Sequence, residues 1–187
     1  MDTQTTTPPA IEYETYQIGV ANIVKDILKR LGIVEAIDAV MEHQPEIGCS
    51  YGTLAQVVII NRLSFDPQPM YLLREWAKQH GIDQILGIDA SWLDDDRLGA
   101  MMEALAKHAG EIWLKVIVRA VSQFSVVLEW LHADTTSIYF EGAYEDEQGE
   151  PLKEEYGPQL VQGYNKDGKP NNVQFVLSLI ASQHIPL

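Results

Sequence analysis

The residue of this sequence best suited to chemistry is Asp134, in the segment LHADTTSIYF. A carboxylate held on a strand can be one ligand of a hard divalent cation such as Mg²⁺, which takes oxygen ligands and keeps its water unless several of them compete. His132 lies two residues away, so on a strand it shares the face of Asp134 and could support a bound ion, although a packed or exposed histidine is the favoured interpretation. The spacing alone favours an aspartate hydrogen-bonded to Thr136 or to nearby backbone.

A second group of carboxylates comprises the consecutive residues Asp94, Asp95 and Asp96. They could form a metal cluster. They also stand where a helix begins, where carboxylates satisfy free backbone N–H groups and favour the positive end of the helix dipole. With Arg97 as a neutralising neighbour, the sequence favours a capped helix start over a metal site.

A polar loop near the C-terminal end carries Lys166, Asp167 and Lys169. These side chains could contact a DNA phosphate or organise a site, or they could form a solvated turn, which is the favoured interpretation. The single cysteine, Cys49, excludes an internal disulfide and a cysteine-only metal cluster. Cys49 is expected to be an inert residue beside a helix.

Helical periodicity extends over most of the chain before residue 125. We expect helices over residues 16–41 with a break at Gly32, after Ser50, over 71–80 and over 92–109. Gly110 is expected to end the last of these, and a further helix over 111–124 is expected to bury Trp113 and Ile117. Ser50 and the aspartates at 94–96 are predicted to cap the helices that follow them.

The composition changes after residue 125. β-Branched and aromatic residues predict a strand over 130–140, and a nearly continuous apolar run predicts a strand over 173–182 that is buried on both faces. An acidic segment over 141–155 and a polar segment over 163–172 are predicted loops. The expected organisation is a polar tail over 1–15, a helical domain over 16–124 and a partial α/β region over 125–187.

The chain carries a formal net charge of −14 in 187 residues, which argues against tight, autonomous DNA binding. Such a charge does not exclude a local basic patch, nor an acidic metal site that acts on DNA. No run approaches the roughly 18 apolar residues that a membrane span needs. We therefore expect a cytoplasmic protein with no membrane contact.

Three segments, in this order, resemble insertion-sequence transposases of the DDE class, which have an RNase H-like catalytic domain. WLDDDRLGAMMEALAKHAG, with GCSYGTLAQVVIINRLSF and PMYLLREW before it, resembles their N-terminal helical domain. LHADTTSIYFEG resembles their first catalytic strand, and GYNKDGKPNNVQFVLSLIASQHIPL resembles a later loop and buried strand. The loop departs from the family pattern at Asn165, Gly168, Lys169 and Asn171.

The resemblance implies an α+β chain: an all-helical N-terminal domain and the first two strands of an RNase H-like domain. It implies that Asp134 is the first catalytic, metal-binding carboxylate, that Mg²⁺ is the cofactor and that transposon-end DNA is the partner. In an intact relative, the metal ion and its carboxylate ligands would support DNA cleavage and strand transfer, which are the steps of DNA recombination. A second aspartate and a glutamate are expected further along, so this chain is expected to be truncated, inactive alone and a weak Mg²⁺ binder.

Two other functions remain open from the residues. The chain could be a non-enzymatic helical module that pairs with full-length transposase or with itself and regulates it, because an unfinished sheet exposes an edge. It could also be an N-terminal DNA-binding module, for which a salt-sensitive gel shift on terminal inverted repeats is expected.

Overall fold

In the computed structural model, the described residues form six α-helices and two short 3-10 helices, all of which precede three β-strands. The described residues are 14–41, 48–126, 128, 131–140, 161–163, 168 and 172–182. The helices are α1 (Ala21–Leu31), α2 (Ile33–Asp38), α3 (Tyr51–Arg62), α4 (Leu73–Gln79), α5 (Ile82–Leu86) and α6 (Asp95–Gln123). The strands are β1 (Leu131–Tyr139), β2 (Val161–Gln162) and β3 (Val173–Ser182). The chain is therefore of mixed helix and strand, with its helices in the N-terminal part.

The predicted helix boundaries at Gly32 and Ser50 are confirmed. Gly32 adopts φ 65°, a left-handed conformation that glycine tolerates, and so separates α1 from α2. The Ser50 side chain accepts a hydrogen bond from the backbone N–H of Thr53 at 3.2 Å, which caps α3. Two local signals, the backbone freedom of Gly32 and the capping side chain of Ser50, were sufficient to place both boundaries.

The predicted helix end at Gly110 is wrong. α6 runs through Gly110 as one helix of 29 residues. A glycine inside a helix costs about 1 kcal/mol relative to alanine, and good helix formers on both sides outweigh that cost. The two helices expected from the sequence are therefore one continuous element.

The helical part has its own apolar core. Side chains from most helices are fully buried there, among them Leu54, Val57, Leu73, Leu98 and Met101. At Gly52 the helices α2 and α3 approach so closely that a Cβ would lie 2.6 Å from the backbone oxygen of Val34. The Gly52 N–H also donates to Asp38 Oδ1 at 2.8 Å, which fixes this contact.

The strands form an antiparallel sheet in the order β1-β3-β2. β1 pairs along its length with β3, with Leu131 opposite Ser182 and Tyr139 opposite Gln174. β2 pairs with the beginning of β3. The sequence predicted two of these strands, and β3 has the predicted bounds; the short β2 was not predicted.

The prediction that β3 is buried on both faces is wrong for most of its length. Val173 and Gln174 are buried, but Val176 and Leu179 are 62% and 69% exposed. The two residues point to opposite faces, so both faces of the sheet are open. An apolar sequence shows that a strand can be buried, but a second layer of structure has to cover it.

Candidate functional site

Asp134 lies on β1, directly opposite Leu179 of β3. Because side chains alternate along a strand, His132 and Thr136 share its face, together with Leu179 and its neighbour Leu177. β1 is an outer strand of the described sheet rather than a central one. The aspartate therefore stands on an open, largely apolar face at the edge of the sheet.

The Asp134 carboxylate is exposed, and its Oδ1 accepts a hydrogen bond from the backbone N–H of Thr135 at 2.8 Å. This is the local backbone contact that the spacing favoured, although the donor is Thr135 and not Thr136. A bond to the adjacent residue limits the orientation of the carboxylate without burying it.

The described residues around Asp134 do not by themselves fit a magnesium ion. Mg²⁺ requires near-octahedral oxygen coordination and sheds its water reluctantly. The strand pair supplies one carboxylate, with the exposed His132 imidazole on the same face. Over the described ranges, no three His, Cys, Asp or Glu side chains converge closely enough to hold a metal.

The candidate residues Lys166, Asp167 and Lys169 lie outside the described residues. The end of their segment that enters β3 is nevertheless bonded to Phe140, the residue after β1. The side-chain amide of Asn172 donates to the backbone oxygen of Phe140 at 3.0 Å, and the Phe140 N–H donates to Val173 O at 2.9 Å. The rings of Phe140 and Phe175 lie 5.9 Å apart, so the most closely packed end of the sheet is the end where this segment enters β3.

The aspartates at 94–96 form a helix start, as the sequence favoured. Asp94 Oδ1 accepts the backbone N–H of Arg97 at 3.0 Å, and Asp94 Oδ2 lies 3.3 Å from Arg97 Nε. Asp95 and Asp96 occupy the exposed first turn of α6. One carboxylate is therefore committed to the cap, and the other two favour the positive end of the helix dipole.

Cys49 lies partly buried at the start of α3. Burial raises the pKa of its thiol to about 11; nearby Arg97 opposes this shift and Asp38 adds to it. A thiol with so high a pKa carries little thiolate at neutral pH, and the thiolate is the nucleophile. The geometry supports the expectation of an inert cysteine.

A small cavity of about 100 Å³ lies between the segment before α1, the end of α3 and α4, and Trp76 and His80 line it. The rings of these two residues stack with centroids 5.1 Å apart. The buried indole N–H of Trp76 has no acceptor among the described residues. The space suits several ordered water molecules, one of which could accept this hydrogen bond.

The exposed apolar surface of the second half of α6 is a feature that the sequence analysis missed. Only Ile112 and Val116 are buried there, whereas Trp113, Leu114 and Val118 are each more than 60% exposed. The expectation that Trp113 and Ile117 face inward is therefore wrong. A prediction of α6 as one helix would have separated these residues, because successive side chains turn by 100°. The buried side would then contain Leu98, Met101, Ile112 and Val116. Trp113 and Ile117 would lie well away from that side.

Within the described ranges, none of the helices has the length and apolar character needed to cross a membrane. Comparisons with curated proteins and with solved structures gave no match. A family model described as a domain of unknown function, DUF4277, matches residues 13–118, which is more than half of the chain. The match extends from before α1 to within the last two turns of α6, and the chain therefore belongs to the DUF4277 family.

Proposed function

We propose that this chain is the N-terminal portion of a DDE-class insertion-sequence transposase. The helical domain heads the protein, and β1 and β3 are the opening strands of its RNase H-like catalytic domain. The observation that carries the proposal is the position of Asp134 within β1, in antiparallel register with the apolar strand β3 and after the helical domain. This order of elements agrees with the order of the three segments that resemble such transposases.

The open faces of the sheet support this proposal. β1 and β3 expose apolar side chains on both faces, among them Val176, Leu179 and Ile180. A sheet of so few strands gains little stability without a covering layer. A larger α/β sheet carries helices on both faces, and such helices would cover these side chains.

Asp134 would contribute one of several carboxylates to the catalytic site. A strand paired along its length holds the Cα atom of Asp134 in a fixed position, and the exposed carboxylate is oriented by the hydrogen bond that its Oδ1 accepts from Thr135. Because a single carboxylate competes poorly with water for Mg²⁺, we expect this chain alone to bind the ion weakly and to cut no DNA. Transposon-end DNA would be the substrate once the remaining acids are in place.

The test is a chimera in which residues 14–182 replace the matching part of an active transposase of the resembled group. Excision of a marked transposon is the readout. We expect the chimera to excise, Asp134→Asn to abolish excision and Asp26→Asn to retain it, because Asp26 is an exposed acid on α1. Excision that survives Asp134→Asn, or a folded chimera that never excises, would contradict the proposal.

The uncovered apolar surfaces also favour a second candidate, a regulatory module that binds full-length transposase. Exposed apolar patches mark interaction surfaces in soluble proteins. On this hypothesis, excess chain added to the intact enzyme lowers the rate of excision, and Asp134→Asn does not change that inhibition. Undiminished excision, together with no association in a pull-down, would exclude it.

A further inference from the structure

The side of α6 that faces away from the helical core is unusually apolar for a surface. At 100° per residue, its central residues lie within about 40° of one line along the helix. We call this surface the outer face; its central residues are the small or apolar Gly99, Ala106, Gly110, Trp113, Ile117 and Val121, together with the exposed acids Asp95 and Glu103. The buried residues Leu98, Met101, Ile112 and Val116 lie on the other side.

Most of the outer face is open in the described part of the chain, although Ala106 and Val121 are partly buried. Trp113 is 66% exposed, and a Cβ built at Gly99 or Gly110 would have no atom within 4 Å. Leu114 and Val118 extend the apolar surface along one flank. Exposed tryptophan and leucine side chains at such density indicate a surface that is buried in an assembly.

We propose that a second copy of this chain covers the outer face, with the two α6 helices packed antiparallel about a two-fold axis near Gly110. This proposal does not depend on the proposed function. In this arrangement Ala106 of one copy lies opposite Leu114 of the other, and Gly99 lies opposite Val121. In these two pairs a small residue of one half meets a larger residue of the other half, as a self-complementary two-fold interface requires, while Glu103 lies opposite Ile117.

Charge complementarity also selects the antiparallel arrangement. Asp95 and Asp96 are exposed at the start of α6. Near its end, the Arg30 guanidinium lies 4.5 Å from the centre of the Phe124 ring. An antiparallel pair brings the acidic end of one copy to this basic end of the other, whereas a parallel pair sets acid against acid.

The first test is sedimentation equilibrium of the full chain across micromolar concentrations. We expect a reversible dimer, and we expect Ile117→Glu to weaken it by roughly 100-fold, because the new carboxylate would lie opposite Glu103 of the other copy and the two like charges would repel. The matched control is Ile23→Glu, which changes an isoleucine of α1 that is 65% exposed and should leave the dimer intact. Circular dichroism verifies that both variants keep their helices.

The second test distinguishes the direction of pairing. Glu103→Cys and Ile117→Cys are prepared separately in a Cys49→Ala background, mixed and oxidised. Positions 103 and 117 face each other across the proposed axis, so we expect mixed disulfide dimers that join the two variants and few that join identical chains. Disulfides require Cα atoms within about 7 Å, so the pattern reports the direction directly.

Several results would overturn the proposal. A wild-type chain that stays monomeric would do so. The outer face would then be the contact surface for another partner or for the apolar sheet of the same chain. Dimers that withstand Ile117→Glu would place the interface elsewhere. Disulfides that join identical chains at both positions would show a parallel pair.

Discussion

The helical domain and the strand pair are both rich in apolar residues, yet they bury them very differently. In the helices, Leu54 and Leu98 are 0% exposed, while on β3 the side chains from Val176 to Ile180 are exposed without interruption. The helices pack against one another from several directions, whereas the strands contact mainly each other. Apolar side chains are therefore necessary for a core but not sufficient, because a second layer of structure has to cover them.

The largest expected effect separates the two regions by stability. Leu98→Ala should destabilise the chain by about 2–5 kcal/mol, because it opens a cavity in a closed core. Leu179→Ala should change stability by no more than about 0.5 kcal/mol, because its side chain is already in water. Urea unfolding followed by helical circular dichroism measures the first value, and amide hydrogen exchange along β3 measures the second. A large loss for Leu179→Ala would show that the sheet is covered in solution.

A smaller effect compares the two regions by thiol reactivity. Burial raises the pKa of Cys49 to about 11, so at pH 8 this thiol should react with a disulfide reagent roughly 100-fold more slowly than an ordinary cysteine. Ser178→Cys in a Cys49→Ala background places a thiol on the exposed part of β3 and should react at the ordinary rate. In denaturant the two rates should converge. Similar rates in the folded state would contradict the burial of Cys49.

The smallest expected effect concerns a carboxylate at a loop of the helical domain. The backbone N–H of Ser91 donates to Asp89 Oδ1 at 2.8 Å, and this hydrogen bond lowers the pKa of Asp89. A lowered pKa in the folded state stabilises the fold above the unfolded-state pKa of about 3.9, and the contribution is lost as the pH falls through the folded-state value.

Asp89→Asn keeps a hydrogen-bond acceptor and removes the charge. The variant should therefore melt slightly below the wild type at neutral pH, and the difference should shrink towards zero in acid, where Asp89 itself is protonated. Thermal melts at several pH values measure this difference. A gap that widens in acid would contradict the direction of the pKa shift.

The sequence predicted elements well wherever a local signal determines them. Gly32 ends a helix, and Ser50 and Asp94 cap the helices that follow them, in each case through contacts within one or two turns. The bounds of β3 follow from its apolar run. The same reasoning failed at Gly110, because a glycine that can end a helix is also tolerated inside a long one. It also missed α5, a five-residue helix between two left-handed glycines.

The candidate site was predictable only in part, because its properties depend on distant residues. The sequence placed Asp134 on a strand and predicted its local hydrogen bond. It could not show that β1 is an outer strand or that β3 lacks a cover, because both depend on which elements pack alongside. The functions expected for Lys166, Asp167 and Lys169 remain predictions, since these residues lie outside the described ranges.

The length of α6 has a mechanical consequence. A straight helix of 29 residues is about 43 Å long, comparable to the diameter of a small domain. Its first turns are fixed in the core by Leu98 and Met101. Val116 is buried about 27 Å further along than Leu98, by the helical rise, and Arg119 near the end of α6 donates to the backbone oxygen of Arg30. α6 is thus held in both halves and acts as a strut, so that a displacement of α1 is transmitted along the whole length of the helical domain.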